Sequence, residues 1–321
     1  MQLFARIALA VGIALSGTTA HAQDFPNKPV KIVVALPAGG ATDGVARLVG
    51  AFLDKTWKQP VVVENRPGGA QIIAGDYVKN SAPDGYTVVL FAHSLSYEDL
   101  LTKTAFNPMT DLAPIALIAG SGYVLTVPAA FPAKDFKEFI AYVKANPGKV
   151  NEGTVGPTSV NEIQKLWKDL AVDIVKVPYK GGALIMPALT ANEVQLYAAS
   201  VPDVLQLSKA GRVRPIGYTE KQRHPLFPDV QTIAESGMGV PNFEARYYFA
   251  VAGPAATPAA AIGRINAGIA QAVDSPEIRE KLSSFGMRPL KETPEGVRAT
   301  LAGTRASAQS MIAAGILKPN F

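Results

Sequence analysis

The sequence predicts an α/β fold divided between two domains, and three observations carry this prediction. Short apolar runs alternate along the chain with segments whose apolar residues repeat at helical spacing. Runs that are apolar along their whole length are typical of strands buried on both faces, so we expect mostly parallel sheets covered by helices. The 299 residues that follow a predicted leader of 22 are enough for two domains of ordinary size.

The first predicted strand is followed directly by a predicted helix. Residues 30–34 form a continuous apolar run, and a later set of apolar residues repeats at the spacing of one helix face. This set is Val45, Leu48, Val49, Phe52 and Leu53. The further predicted strands are 61–63, 87–91, 115–118, 124–127, 174–177, 194–198, 214–218 and 247–252.

Turn sequences close many of these elements, as at residues 66–69 and 82–85. Ser275-Pro276 and Thr293-Pro294 each predict a helix start, with a capping residue followed by proline. The chain has no internal repeat and no low-complexity linker, so we expect the crossings between domains to be ordered strands. The expected domains are residues 23–123 with 247–321 (domain 1) and residues 124–246 (domain 2).

The N-terminus predicts export. Arg6 precedes an uncharged, largely apolar stretch over residues 7–20, which ends in the cleavage signal Ala20-His21-Ala22. The apolar stretch is shorter than the roughly 18 residues that cross a bilayer. We therefore expect residues 1–22 to be a signal peptide cleaved after Ala22, with the mature chain beginning at Gln23.

The composition argues against several classes of function. The net charge of +5 falls to +4 without the leader, and the basic residues are scattered, so we expect no nucleic-acid partner. A mildly positive protein suits an anionic ligand. The chain has no cysteine, which excludes disulfides, thiolate nucleophiles and Cys-ligated metals. Two isolated histidines in the mature chain give no metal-binding spacing, so we expect no metal and no cofactor.

A first glycine-containing loop, residues 37–43, joins the first strand to the first helix. Gly39 and Gly40 let backbone N–H groups approach a ligand closely, and the helix N-terminus adds unpaired donors that suit an anion. The loop matches neither common nucleotide-binding pattern. The alternative is a tight turn with Thr42 or Asp43 as the N-cap residue. Asp43 would repel a carboxylate at direct contact, which favours capping or a water-bridged contact.

A second loop of the same kind, residues 153–159, precedes another predicted helix. It offers Thr154, Gly156, Thr158 and Ser159, and residues 159–162 have the form of a capping box. The alternative is a capped turn without a ligand. Two such loops more than a hundred residues apart favour two domains facing one ligand.

A catalytic alternative rests on Ser94. The segment 92–96 follows a strand and is distantly similar to the G-x-S-x-G nucleophile elbow, but both glycines are missing. A Ser94 triad would have to recruit His224, because the mature chain holds only His93 and His224. The alternative function is therefore a periplasmic serine hydrolase using Ser94. The favoured function is the binding of an anionic ligand by a protein that is not an enzyme.

Many dispersed motifs resemble one family, in its order and along essentially the whole mature chain. The motifs are FPNKPVKIVVALPAGGATDGVAR, QPVVVENRPGGA, APDGYTVVLF, DLAPIALIA, VKVPYKGGA, LSKAGRVRPIGYT, PLFPDVQTIAESG and FEARYYFAVAGPAATPAAAI. The chain thereby resembles the Bug receptors, the periplasmic solute-binding proteins of tripartite tricarboxylate transporters. The resemblance implies two Rossmann-like domains joined by crossover strands, a periplasmic-binding-protein-like cleft, and a carboxylate held by the two loops, often through waters. It also implies delivery to a two-subunit inner-membrane permease, and we expect a monomer.

Several residues differ from those common in the family, and these differences indicate what kind of ligand the chain binds. Ala199 stands where the family commonly has an Asp that could pair with an ammonium group, which argues against an amino-acid ligand. Asn161 replaces a common His, and His93-Ser94 replaces small residues. Arg246 stands where Thr or Ser is typical, and it suits bidentate capture of a carboxylate. The alternative for Arg246 is a salt bridge at the rim with Glu244 or another acid.

The predicted ligand is a small dicarboxylate without an amine, aliphatic or aromatic such as terephthalate. Arg246, with His93 or Ser94, would meet its distal end, and Tyr97, Tyr247 and Tyr248 could flank a ring, although aromatics beside strands are more often core. The predicted ligand-binding residues are Gly39, Gly40, Thr42, Asp43, His93, Ser94, Thr154, Gly156, Thr158, Ser159, Asn161, Ser200 and Arg246.

Overall fold

A computed structural model describes residues 25–155, 161–179 and 182–319 of the chain. The predicted signal peptide, residues 1–22, lies outside the described residues. The strands are β1 (Val30–Val34), β2 (Val61–Asn65), β3 (Thr87–Ala92), β4 (Leu112–Gly122), β5 (Val124–Pro128), β6 (Asn151–Val155), β7 (Val175–Tyr179), β8 (Leu196–Ala199), β9 (Val213–Tyr218), β10 (Arg246–Pro254) and β11 (Arg288–Pro289).

Helices lie between most of these strands. They are α1 (Ala41–Trp57), α2 (Ile72–Lys79), α3 (Pro108–Asp111), α4 (Phe136–Ala145), α5 (Asn161–Asp169), α6 (Gly182–Thr190), α7 (Val201–Lys209), α8 (Ala259–Asp274), α9 (Pro276–Ser284) and α10 (Pro294–Ala313), with short 3₁₀ helices at Gly69–Gln71, His93–Leu100 and Ala234–Ser236. The predicted caps of α9 and α10 are confirmed. Ser275 Oγ accepts the Ile278 N–H at 3.3 Å, and Thr293 Oγ1 accepts the Gly296 N–H at 3.2 Å.

The strands form two sheets, one of six strands in the order β11-β4-β10-β3-β1-β2 and one of five in the order β7-β6-β8-β5-β9. In the first sheet β1 is parallel to β2 and β3, whereas β10 is antiparallel to β3 and β4. In the second sheet β6 is parallel to β7 and β8, whereas β5 is antiparallel to β8 and β9. The prediction of mostly parallel sheets is therefore wrong.

The antiparallel strands are those next to the two places where the chain crosses between the sheets, after β4 and before β10. A strand–helix–strand connection within one sheet imposes a parallel direction. The strands β4, β5 and β10 are instead entered or left where the chain crosses between sheets, and they run antiparallel to their neighbours. The α/β class itself is confirmed.

Each sheet is covered on both faces. In β1, Ile32 packs with α1, α8 and α9 on one face, and Val33 packs with α2 and α10 on the other. The second sheet packs α4 and α5 on one face and α6 and α7 on the other. Val45, Val49 and Leu53 of the predicted helix face are buried in α1.

The two sheets meet where the chain crosses between them, and one buried hydroxyl joins the crossings. Thr219 Oγ1 accepts the Tyr123 N–H at 2.7 Å and donates to the Ala245 carbonyl at 2.6 Å. Tyr218 Oη accepts the Gly122 N–H at 2.9 Å. The division into domains at these crossings stays a prediction. Among the described residues no helix is long and apolar enough to cross a membrane.

Candidate functional site

The first loop places two glycines at the start of α1. The N-cap residue is Gly40, in extended conformation and without a side-chain cap, so the alternative with Thr42 or Asp43 as the N-cap residue is wrong. Gly39 has φ of +81°, which favours glycine. A Cβ on Gly39 would meet no heavy atom within 4 Å, and one on Gly40 would meet only the Pro37 carbonyl oxygen at 3.6 Å. Both backbones therefore border open space.

The buried Asp43 side chain stabilises this loop by hydrogen bonds. Its Oδ2 accepts the Gly39 N–H and the Arg47 Nε–H, each at 3.0 Å, and Arg47 Nη2 lies 3.0 Å from Oδ1. The Arg47 guanidinium holds the pKa of Asp43 below its usual value. Asp43 and Thr42 are both buried. The Asp43 carboxylate thus fixes the backbone conformation of Gly39.

The segment after β2, where the sequence predicts only a turn at residues 66–69, is strained in the structure. Gly68, Gly69, Ala70 and Gln71 have consecutive φ values of +123°, +54°, +50° and +77°. Such conformations cluster at ligand sites. The Gln71 side chain donates from Nε2 to Ser94 Oγ at 2.6 Å and accepts the Ala92 N–H at 2.8 Å. Gln71 therefore fixes Ser94 at the end of β3.

Among the residues that the structure describes, the histidine that a Ser94 triad would recruit is engaged elsewhere. His224 Nδ1 accepts the Leu226 N–H at 3.1 Å, and its Nε2 lies 3.2 Å from the Gly286 carbonyl. Burial raises the pKa of Glu98, which bonds Ser94, to about 7. The geometry gives no support to the hydrolase alternative.

A cavity of about 330 Å³ brings together His93 and Arg246. Its lining residues are His93, Glu162, Glu244, Arg246, Tyr248, Ala299, Thr300, Gly303, Thr304 and Ser307. Arg246 Nη1 is 4.0 Å from Glu244 Oε1, at the outer limit of an ion pair. Burial lowers the pKa of His93 to about 4, so its imidazole is neutral at ordinary pH.

Two acidic residues of this cavity were not among the predicted ligand-binding residues. Glu162 was recognised only as part of a capping box, and Glu244 only as a partner for Arg246. Burial raises the pKa of Glu162. The hydroxyl residues of α10 that line the cavity were missed altogether.

The three tyrosines that could flank a ring are buried. Tyr248 lies in the cavity wall, where its ring centroid is 5.5 Å from that of His93 and its Oη is 2.6 Å from Thr304 Oγ1. Tyr247 packs against Tyr123 with ring centroids 5.3 Å apart. Tyr97 contacts His93 edge-on.

The second loop is described only at its start. Thr154 is buried near the end of β6. Gly156, Thr158 and Ser159 lie outside the described residues, and so does the side chain of Asn161. Ser200 is the N-cap residue of α7, where its Oγ donates to Asp203 Oδ2 at 2.7 Å. The site assignments stay predictions.

The first loop follows the carboxyl end of β1, the end of a strand at which open α/β sheets bind ligands. Two α/β sheets joined by crossing strands are the architecture that two-domain solute-binding receptors share. Residues 45–314 match the family model described as tripartite tricarboxylate transporter family receptor, and the chain belongs to this family. The resemblance to the Bug receptors is confirmed, and the chain is a receptor and not an enzyme.

Relatives and solved structures agree with this assignment. The UPF0065 protein in gbd 5'region of Cupriavidus necator is 33% identical over 284 residues, which cover 87% of this chain and 85% of the relative. The structure of R. palustris Rpa4515 with adipate is 29% identical, with a TM-score of 0.82, and covers 92% of this chain and 100% of that chain. MatC from Rhodopseudomonas palustris with bound malate is 28% identical, with a TM-score of 0.76, covering 90% and 100%.

Proposed function

We propose that this chain is a periplasmic receptor that captures a small organic dicarboxylate and delivers it to the two-subunit inner-membrane permease of a tripartite tricarboxylate transporter. The observation that carries the proposal is the pair Gly39 and Gly40, whose backbones border open space at the N-terminus of the 17-residue helix α1. Backbone donors and the positive end of the helix dipole together favour a carboxylate there.

The Gly39 N–H is taken by Asp43, so the donors that the loop offers to the ligand are the Gly40 N–H and the first N–H groups of α1. The ionised Asp43 carboxylate is occupied by the Gly39 N–H and by Arg47, so its charge is largely compensated within the loop. Donors from the second loop, residues 153–159, would complete the site for the first carboxylate.

The second carboxylate of the ligand is assigned to Arg246 and His93. Arg246 is only loosely paired with Glu244, and a ligand carboxylate could take a shorter, bidentate position. Burial raises the pKa of Glu162, and the other acid of the cavity, Glu244, lies beside Arg246. Adipate and malate, bound to the two related receptors, are both dicarboxylates.

Ala199 gives the site no negative charge with which to bind an ammonium group of a ligand. Ala199 is fully buried at the end of β8, next to the crossing strand β5, and it offers no charge to an ammonium group. The ligand would therefore carry no amine.

Capture would proceed by closure of the two sheets about their crossings, as in other two-domain binding proteins. The leader over residues 1–22 would direct the chain to the periplasm, where it would act as a monomer. Purified mature protein should show thermal stabilisation by dicarboxylates without turnover.

The decisive variant is Arg246→Ala, titrated by calorimetry with adipate and with hexanoate. Loss of a charge-assisted hydrogen bond of about 1.5–3 kcal/mol should weaken adipate by roughly ten- to a hundredfold, while hexanoate loses much less. Arg279→Ala is the matched control, because Arg279 is an exposed arginine paired with Asp274 on α9 and α8. Equal losses for both acids, or tight binding of an amino acid, would contradict the proposal.

A further inference from the structure

The C-terminal helix α10 turns a polar face towards the cavity that holds Arg246. Thr300, Gly303, Thr304 and Ser307 follow one another at the i, i+3, i+4, i+7 spacing of one helix face, and all four line the cavity. The buried residues of the same helix are apolar: Val297, Leu301, Ala308 and Met311. The hydroxyl residues therefore lie directly beside the apolar residues that hold α10 in the core.

We propose that this face of α10 is a specificity-determining wall, which selects an elongated dicarboxylate by the length and polarity of its distal half. The inference rests on the proposed function and extends it to residues that the carboxylate sites do not include. The distal carboxylate of the ligand lies between Arg246 and the positions of Thr300, Gly303 and Ser307 on α10.

The hydrogen bonding of the helix separates fixed from available hydroxyls. Thr304 is fixed, since its Oγ1 bonds Tyr248 Oη at 2.6 Å and donates to the Thr300 carbonyl at 3.1 Å. Helical hydroxyls commonly bond back to the preceding turn in this way. Within the described part of the chain neither Thr300 Oγ1 nor Ser307 Oγ bonds another group, so both hydroxyls remain available to a ligand in the cavity.

Gly303 keeps the cavity open between these two hydroxyls. It lies on the exposed side of the helix, and a Cβ built on it meets no heavy atom within 4 Å. Glycine weakens a helix interior by about 0.5–1 kcal/mol relative to alanine. A side chain at this position would thus be accepted by the helix and would project into the space that the ligand is assigned.

The opposite wall comes from the second sheet. Glu162 lies on α5, which packs in the core of the second sheet, and Lys168 of the same helix donates to the Ala314 carbonyl just beyond α10 at 2.9 Å. The cavity is therefore complete only when α5 and α10 approach each other, so an elongated ligand would contact both sheets at once.

The test is a length series of linear dicarboxylic acids, succinate, adipate and suberate, titrated calorimetrically against wild type and Gly303→Leu. Gly303→Leu should retain succinate and lose adipate and suberate by about tenfold or more, with a melting temperature no lower than that of wild type. Gly263→Leu is the matched control, because Gly263 is also an exposed helical glycine with no heavy atom within 4 Å of its built Cβ. This control should bind all three acids as wild type does.

Ser307→Ala and Thr300→Val provide a second readout that fills no space. Each removes one hydroxyl, and a hydrogen bond of about 0.5–1.5 kcal/mol corresponds to a loss of roughly two- to tenfold for suberate, with succinate unaffected. Equal effects on short and long acids, or none on any acid, would overturn the role of α10 while wild-type binding upheld the proposed function. Failure of wild type to bind any of the three acids would contradict the proposed function itself.

Discussion

Replacing Thr219 with valine removes the buried hydroxyl that joins the two crossings between the sheets. Valine keeps the shape of threonine but leaves the Tyr123 N–H and the Ala245 carbonyl without their partner at 2.7 and 2.6 Å. Each buried polar group that loses its partner costs about 1–3 kcal/mol. Tyr123 is only partly buried, so water can compensate in part, and we expect a destabilisation of about 2–3 kcal/mol.

The assay is urea denaturation of the purified mature chain. Thr56→Val is the matched control, because Thr56 is exposed on α1 and its hydroxyl only donates to the Phe52 carbonyl at 2.8 Å. The control should stay within about 0.5 kcal/mol of wild type. If Thr219→Val were as stable as Thr56→Val, the crossings would not depend on this hydroxyl and the reasoning would be refuted.

Three further predictions concern groups held by burial or by tight contact. The pKa of Glu98 is about 7 in the folded chain, against an ordinary value of 4.5. Between these pH values the folded state keeps a proton that the unfolded state loses. The stability of wild type therefore falls as pH rises through this range. In Glu98→Gln, the free energy of unfolding measured with urea should fall by about 3 kcal/mol less than in wild type between pH of about 5 and 8. An unchanged pH dependence would contradict the raised pKa of Glu98. Gly286→Ala should destabilise by about 1–3 kcal/mol, because Gly286 has φ of +63° and an added Cβ would lie 2.2 Å from Val201 Cγ1; Gly263→Ala should not. Asp43→Ala should cost about 1.5–3 kcal/mol in the same denaturation assay, since Gly39 and Arg47 lose a charged partner, and a neutral outcome would remove Asp43 from the loop's support.

Features encoded by near neighbours were predictable from the sequence. The apolar spacing of Val45, Val49 and Leu53 gave α1 and its buried face, and the Ser-Pro and Thr-Pro pairs gave the starts of α9 and α10. The glycines of residues 37–43 indicated the loop at the start of α1. These signals depend only on backbone preferences and on periodicity within one element.

Features that depend on contacts distant in sequence were not predictable. The antiparallel directions of β5 and β10 follow from the crossings and not from the strands' own residues. Gln71 became visible as a support of Ser94 only through its left-handed conformation and its bond across 23 residues. The hydroxyl face of α10 has the pattern of an ordinary solvent-exposed face, so its place in the cavity needed the structure.

Calorimetric titration of adipate against wild type and Gly40→Val tests the central claim that the loop at the start of α1 holds the ligand carboxylate through its backbone. Gly40 has ordinary extended backbone angles, and an added Cβ meets only the Pro37 carbonyl oxygen at 3.6 Å, so the variant should fold, with a loss of about 1 kcal/mol because valine is a poorer N-cap residue than glycine. Its valine side chain would occupy the open space in front of the loop. We predict that wild type and a Gly263→Val control bind adipate equally and that Gly40→Val binds it at least about tenfold more weakly. Equal affinity of Gly40→Val and wild type would contradict the claim.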